Sequence, residues 1–235
     1  MTEVEWLACT DPKPMLAFVG GKASSRKLRL FAVACCRMIW PLITNVRSRK
    51  SVEMSEACAD DPSKHKVMIA AAKGAKNAIS YTHSRLTYPE WMGVAIGFIA
   101  ARDCALADAR EAAHSVTGLI TRVAWPDHES SARNSVAFLR DIIGDPFRPS
   151  RSLPSAVLNW NGGTVCRIAR GIYDEHAFDR LPILHDALLD AGCNDEAILA
   201  HCRERAPHIP GCWFIDPSGP HVRGCWVVDL LLGKE

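Results

Sequence analysis

Ser24-Ser25-Arg26-Lys27-Leu28-Arg29-Leu30-Phe31-Ala32-Val33-Ala34-Cys35-Cys36-Arg37-Met38-Ile39-Trp40-Pro41 is the stretch that decides the fold class. Leu28, Phe31, Ala32, Cys35 and Ile39 recur at helical spacing and form one apolar face, with Arg26 and Arg37 on the opposite one. Ser24 or Ser25 supplies an N-cap, and Pro41 ends the run. The segment therefore reads as an amphipathic helix with defined ends.

The same punctuation continues on both sides. Thr2 with Glu5 three residues later is a capping box that predicts a helix over 2–9, and Asp11-Pro12 opens another that Gly20-Gly21 closes. Downstream, Thr44 to Ala59 reads as a polar-faced helix with Val46, Val52 and Met54 as its apolar contacts. Asp60-Asp61-Pro62 then stops it and starts an Ala- and Lys-rich helix from Ser63 to about His83. Tyr88-Pro89 restarts the chain into Trp91 to Val123, where Gly93, Gly97 and Gly118 are the expected weak points dividing it in two. Pro126-Asp127 caps a helix carrying Val136, Phe138, Leu139, Ile142 and Ile143.

Gly144 to Leu153, with Pro146, Pro149 and Pro154 nearby, reads as a connector, and Asn161-Gly162-Gly163 as a turn. Thr164 is expected to cap Val165 to Glu175, and Asp179 to cap Leu181 to Ala191 ahead of a Gly192 stop. Asn194 or Asp195 is expected to cap Glu196 to Arg203. Strand-like alternation is scarce. The expectation is an all-α, multi-helix orthogonal bundle with little or no β-structure, divided into 1–143 and 144–235 or folded as one continuous domain.

With 48% hydrophobic and 23% charged residues in 235, the chain has the composition of a folded globular protein and not of a disordered one. The acids at Glu3 and Glu5 do not suit the basic start of a signal peptide, and no apolar run reaches the ~18 residues of a membrane span. A cytoplasmic location without membrane association is expected, with the ten cysteines reduced. Cys9, Cys35, Cys36, Cys58, Cys104 and Cys166 lie in apolar, helical surroundings and read as small core residues.

The charge is unevenly placed. Lys22 to Lys50 holds eight basic residues and no acid, whereas Gly171 to Glu204 holds eight acids against Arg180 and Arg203. Such asymmetry suits either mutual attraction of the two regions or nucleic-acid binding, for which Arg47, Arg49 and Lys50 are the candidate contacts.

One phrase occurs twice near the C-terminus. Pro207-His208-Ile209-Pro210-Gly211-Cys212-Trp213 returns as Pro220-His221-Val222-Arg223-Gly224-Cys225-Trp226. Both copies read His-x-x-x-Cys-Trp, so His208, Cys212, His221 and Cys225 are candidate zinc ligands, since structural zinc takes four tetrahedral Cys and His donors. The Trp and apolar residues after each Cys equally suit plain packing. On a helix begun by Pro220 and ended at Gly233, His221 and Cys225 would share a face, with Val222, Trp226 and Leu230 in line.

Other constellations are weaker. His201-Cys202 sets a base beside a thiol, but neighbours on a helix point about 100° apart. His185, Asp186 and Asp190 sit on one expected helix as a solvated face, and the vicinal Cys35-Cys36 falls on an apolar stripe. No phosphate-binding loop, dinucleotide fingerprint or His-Glu-x-x-His occurs.

Two blocks carry a family resemblance. Glu5-Trp6-Leu7-Ala8-Cys9 and Lys27 to Arg37, together with Trp160 to Thr164, Ala169 to Glu175, Phe178 to Leu184, Ala191-Gly192-Cys193, His201-Cys202-Arg203 and His221 to Lys234, resemble a large paralogous family of planctomycete proteins of the Gemmata type. The resemblance covers about half the chain and implies no activity, cofactor or catalytic residue. In that family the His-x-x-x-Cys-Trp phrase stands once, so Pro207 to Gly219 reads as an added copy. Residues 60–125 share nothing with the family pattern. The functional expectation is a non-enzymatic interaction or regulatory protein with a protein partner; the alternatives are a zinc- or nucleic-acid-binding module, and an enzyme of another type.

Overall fold

The computed structural model describes residues 1–78, 88–122, 128–148, 152–203 and 221–234. Among them the only regular elements are helices and short 3₁₀ turns, so the fold is all-α. The chain forms two compact units, Met1–Leu139 and Arg140–Glu235.

In the first unit, local caps set the helix starts. Thr2 and Glu5 exchange both capping-box bonds ahead of α1 (Glu3–Ala8), and Asp11 accepts from Lys13 N at 3.0 Å to open α2 (Pro12–Val19). Ser24 accepts from Lys27 N at 3.3 Å and starts α3 (Ser25–Met38), and a 3₁₀ turn at Trp40–Leu42 follows. Asn45 caps α4 (Val46–Asp60), and a second 3₁₀ turn, Pro62–Lys64, leads into α5 (His65–Ala78). Then come α6 (Tyr88–Cys104), α7 (Ala109–Ile120) and α8 (His128–Ile143), whose last residues, from Arg140 on, belong to the second unit.

Helix α3 is the hub. It packs on α4, α6 and α7, and Leu28 through Cys36 are all buried. The single apolar stripe expected from the sequence is therefore too narrow, because three helices surround α3 and even Arg29 is covered. That guanidinium donates to the carbonyls of Cys104 (3.4 Å), Leu106 (2.9 Å) and Ala107 (2.9 Å). Those contacts fix the break between α6 and α7, where Asp108 accepts from Glu111 N at 2.8 Å. The break thus falls at 105–108 and not at a glycine. The arginines of α3's polar side tie it to α4, through Arg26–Asp60 at 3.0 Å and Arg37–Glu56 at 2.8 Å.

In the second unit, α9 (Ser155–Glu175) contains the expected turn. Asn161, Gly162 and Gly163 all have left-handed φ of 46°, 66° and 80°. The Thr164 hydroxyl donates to Asn161 O at 2.8 Å, and Arg167 Nη1 to Gly162 O at 3.1 Å. A 3₁₀ turn at Phe178–Arg180 precedes α10 (Leu181–Asp190). Asp179 lies inside that turn, so it does not cap α10 as expected. Asp195 does cap α11 (Glu196–Arg203), accepting from Ala197 N at 3.0 Å and Ile198 N at 3.3 Å.

The terminal helix α12 (Trp226–Leu232) ends at Gly233 in the left-handed conformation. It starts later than expected, because residues 221–225 form a turn with Gly224 at φ 99°. His221 and Cys225 therefore do not share a helix face. The buried stripe shifts accordingly to Val227, Val228 and Leu231, while Val222, Trp226 and Leu230 are half-buried. That stripe packs in one core with Val165, Ile172 and Leu188.

Two glycines of the first unit, Gly97 and Gly118, separate packing from propensity. A Cβ on Gly97 would lie 2.7 Å from Leu42 O, whereas one on Gly118 meets nothing within 4 Å. Gly97→Ala is expected to lower the unfolding free energy by about 1–3 kcal/mol through forced backbone displacement. Gly118→Ala is expected to be neutral or stabilising by up to ~1 kcal/mol. Urea denaturation of both variants measures this, and the reverse order would contradict the close α6 contact.

Candidate metal centre

Helix α8 places Asp141 in its last turn, with Phe138, Leu139 and Ile142 buried beside it. The Asp141 carboxylate is itself 3% exposed, an unfavourable position for a charge unless it is partnered. Its partners come from two other segments. His221 Nδ1 donates to Oδ1 at 2.7 Å, Val222 N donates to Oδ2 at 2.9 Å, and His201 Nε2 on α11 lies 3.2 Å from Oδ1. Cys225 Sγ completes the group, 3.1 Å from His201 Nε2.

One donor atom from each of Asp141, His201, His221 and Cys225 lies within 4.8 Å of the others. A zinc tetrahedron with bonds of about 2.0–2.3 Å has edges of about 3.3–3.7 Å, so the widest donor pairs must close by up to about 1.5 Å to form the shell.

Local structure holds the turn that carries two of them. The Arg223 guanidinium lies 4.5 Å from the Tyr173 ring centre on α9, which stacks the middle of the His221–Cys225 turn on a buried aromatic. Lys234 covers the same ring at 4.5 Å and fixes the end of α12. Trp226 packs over Gly144, where a Cβ would come within 3.0 Å of the indole. The positive φ of 71° at Gly144 adds a second reason for glycine there.

Electrostatics divide the donors. Burial alone would push the Asp141 carboxyl up, but the charge of His221 and the hydrogen bonds from His201 and His221 outweigh it and hold it well below the ordinary carboxylate range. Asp141 is thus an anion. Burial drives the Cys225 thiol well above its usual value and the Asp141 charge adds to this, while the amides of Val228 and Val227 facing the sulfur oppose it. Without a cation Cys225 keeps its proton.

The tautomer of His201 follows from Trp226. The indole Nε1–H is a donor only, and it points at His201 Nδ1 from 3.2 Å. Nδ1 therefore presents its lone pair, and in the neutral ring the proton sits on Nε2, facing Asp141 and Cys225. The His201 ring packs against His221 at 4.7 Å and Trp226 at 5.2 Å.

Of the four ligands expected from the sequence, His221 and Cys225 are in this cluster, whereas His208 and Cys212 lie outside the described residues. Asp141 and His201 are not among those four. Asp141 stands inside the apolar run Phe138 to Ile143, and a lone acid on a core-facing helix end was the available signal. His201 was paired in sequence with Cys202, yet the structure sets it against Cys225. Cys202 is buried, and its thiol is pushed up to about 12 by burial, with the Cys193 thiol and the Asp141 charge adding to it.

The other candidates are engaged locally. Arg49 Nε donates to Ile43 O at 2.7 Å and its guanidinium covers Trp40, Lys50 pairs with Glu53 at 3.7 Å, and Arg47 is exposed. Cys35 donates to Ser135 Oγ at 3.8 Å and Cys36 to Ala100 O at 3.5 Å, both fully buried. His185 accepts from Arg203 at 3.3 Å and pairs with the exposed Asp186 at 3.0 Å. No described helix is long and apolar enough to cross a membrane.

Comparison with protein-family models, with curated proteins and with solved structures finds no match to this chain.

The thiols give a direct check of these environments. Cys9 and Cys166 are half-buried, whereas Cys35 is buried with its thiol pushed up to about 12 by burial. In the native protein at pH 8, alkylation read by peptide mass spectrometry is expected to label Cys9 and Cys166 before the buried cysteines of the described residues. Cys35 and Cys202 should react only on unfolding, and prompt labelling of either would contradict their placement.

Proposed function

We propose that the Arg140–Glu235 unit is a zinc-binding module in which Asp141, His201, His221 and Cys225 hold a structural metal ion. The observation that carries this is the convergence of four donors, from the end of α8, from α11 and from the 221–225 turn, on one buried point. A carboxylate, two imidazoles and a thiolate suit zinc better than calcium or magnesium, which take oxygen donors. The charge also balances. One carboxylate and one thiolate offset the two positive charges of the ion, so the loaded centre is neutral where burial favours neutrality.

A structural role fits better than a catalytic one. Catalytic zinc keeps a position open to substrate. Here four protein donors suffice to close a tetrahedral shell. The wider role that suits such a module is a non-enzymatic interaction protein.

Protein purified without a His tag is expected to carry about one zinc per chain by elemental analysis. Asp141→Asn and Cys225→Ser should each bring that below ~0.2. Cys202→Ser should retain the metal, as should the double variant His208→Ala, Cys212→Ala. Loss of zinc only in that double variant would instead return the site to the repeated phrase. Because Cys225 is a thiol in the metal-free protein, zinc binding in weak buffer should also release at least one proton, and affinity should fall as pH drops.

A further inference from the structure

The indole of Trp226 stands where a metal-bound His201 needs its opposite tautomer. An imidazole that gives its Nε2 lone pair to a metal and stays neutral carries its proton on Nδ1. In this structure Nδ1 accepts the Trp226 Nε1–H at 3.2 Å, and the neutral ring therefore has its proton on Nε2, between Asp141 Oδ1 at 3.2 Å and Cys225 Sγ at 3.1 Å. We infer that Trp226 sets the resting tautomer of His201 and opposes metal uptake, so that binding breaks the indole hydrogen bond and Trp226 reports the occupancy of the centre.

On binding, the Nε2 proton of His201 leaves for solvent and one proton arrives from solvent on Nδ1, so the ring stays neutral. Two N–H groups then face each other across the former hydrogen bond, and that contact is repulsive. Trp226 must turn or slide. It is only half-buried and sits over Gly144, which presents no side chain, so the indole has a smooth surface to move across. Trp226 directly follows the ligand Cys225 and is the first residue of α12, so any displacement passes into the terminal helix.

This inference rests on the zinc reading above, and the test separates the two. In metal-free protein, ¹⁵N shifts of the His201 imidazole are expected to show an unprotonated Nδ1 and a protonated Nε2. On adding zinc the pattern should invert, and the Trp226 indole N–H signal should move. Trp226→Phe, which removes the donor but keeps an aromatic ring over Gly144, is expected to bind zinc about fivefold more tightly, the worth of one neutral hydrogen bond. Zinc uptake by the variant but not by the wild type would also support the inference. Equal affinity within twofold and an unmoved indole signal, with one zinc bound by both proteins, would overturn it and leave the metal centre standing. No zinc bound by either protein would overturn both. The imidazole and indole signals are read on the unaltered chain, so the test survives a variant that fails to fold.

Discussion

The C-terminal part of the second unit depends on the buried carboxylate of Asp141. A charge that is 3% exposed is tolerable only with donors around it, and all of these come from segments distant in sequence. His201 brings α11, and His221 with the Val222 amide brings the turn that leads into α12. Removing any one partner leaves an anion under-solvated, at a typical cost of about 3–5 kcal/mol for a broken buried pair. The carboxylate therefore dictates where the 221–225 turn must lie, and apolar packing of Val227, Val228 and Leu231 then fixes the orientation of α12.

Two kinds of force act on the same few residues. The hydrophobic core packs α9, α10, α11 and α12 together, and it shares Cys225 with the polar cluster. The cluster adds direction, because hydrogen bonds and metal–ligand bonds require particular atoms at particular distances. Tyr173 links the two. Its buried ring belongs to the core, while its faces receive Arg223 from the turn and Lys234 from the end of α12. Arg223 thus holds the middle of the His221–Cys225 turn against the core.

Much of the fold could be read in advance, because short-range rules govern helix ends. Thr2, Asp11, Ser24 and Asp195 cap the helices they were expected to cap, and Pro41 ends α3. Where the reading failed, a tertiary contact was responsible. The α6–α7 break follows from Arg29 reaching across to three carbonyls, and the burial of α3 on all sides follows from its three neighbours. The α12 boundary moved because the donors of Asp141 require an extended turn at His221–Cys225, which a helix could not supply. The candidate centre was half visible for the same reason. His221 and Cys225 stand four apart in a repeated phrase, whereas Asp141 and His201 lie 80 and 20 residues from His221, with no spacing rule to join them. A lone acid in Phe138 to Ile143, and a histidine flanked by core residues, become informative only once the chain is folded.

The central claim is that one carboxylate, two imidazoles and one thiolate close a single zinc centre. X-ray absorption at the zinc edge on the loaded protein addresses it most directly. The account predicts four-coordinate zinc with one sulfur at about 2.3 Å and three nitrogen or oxygen neighbours at about 2.0–2.2 Å. Two or more sulfur neighbours, or a six-coordinate shell without sulfur, would contradict it.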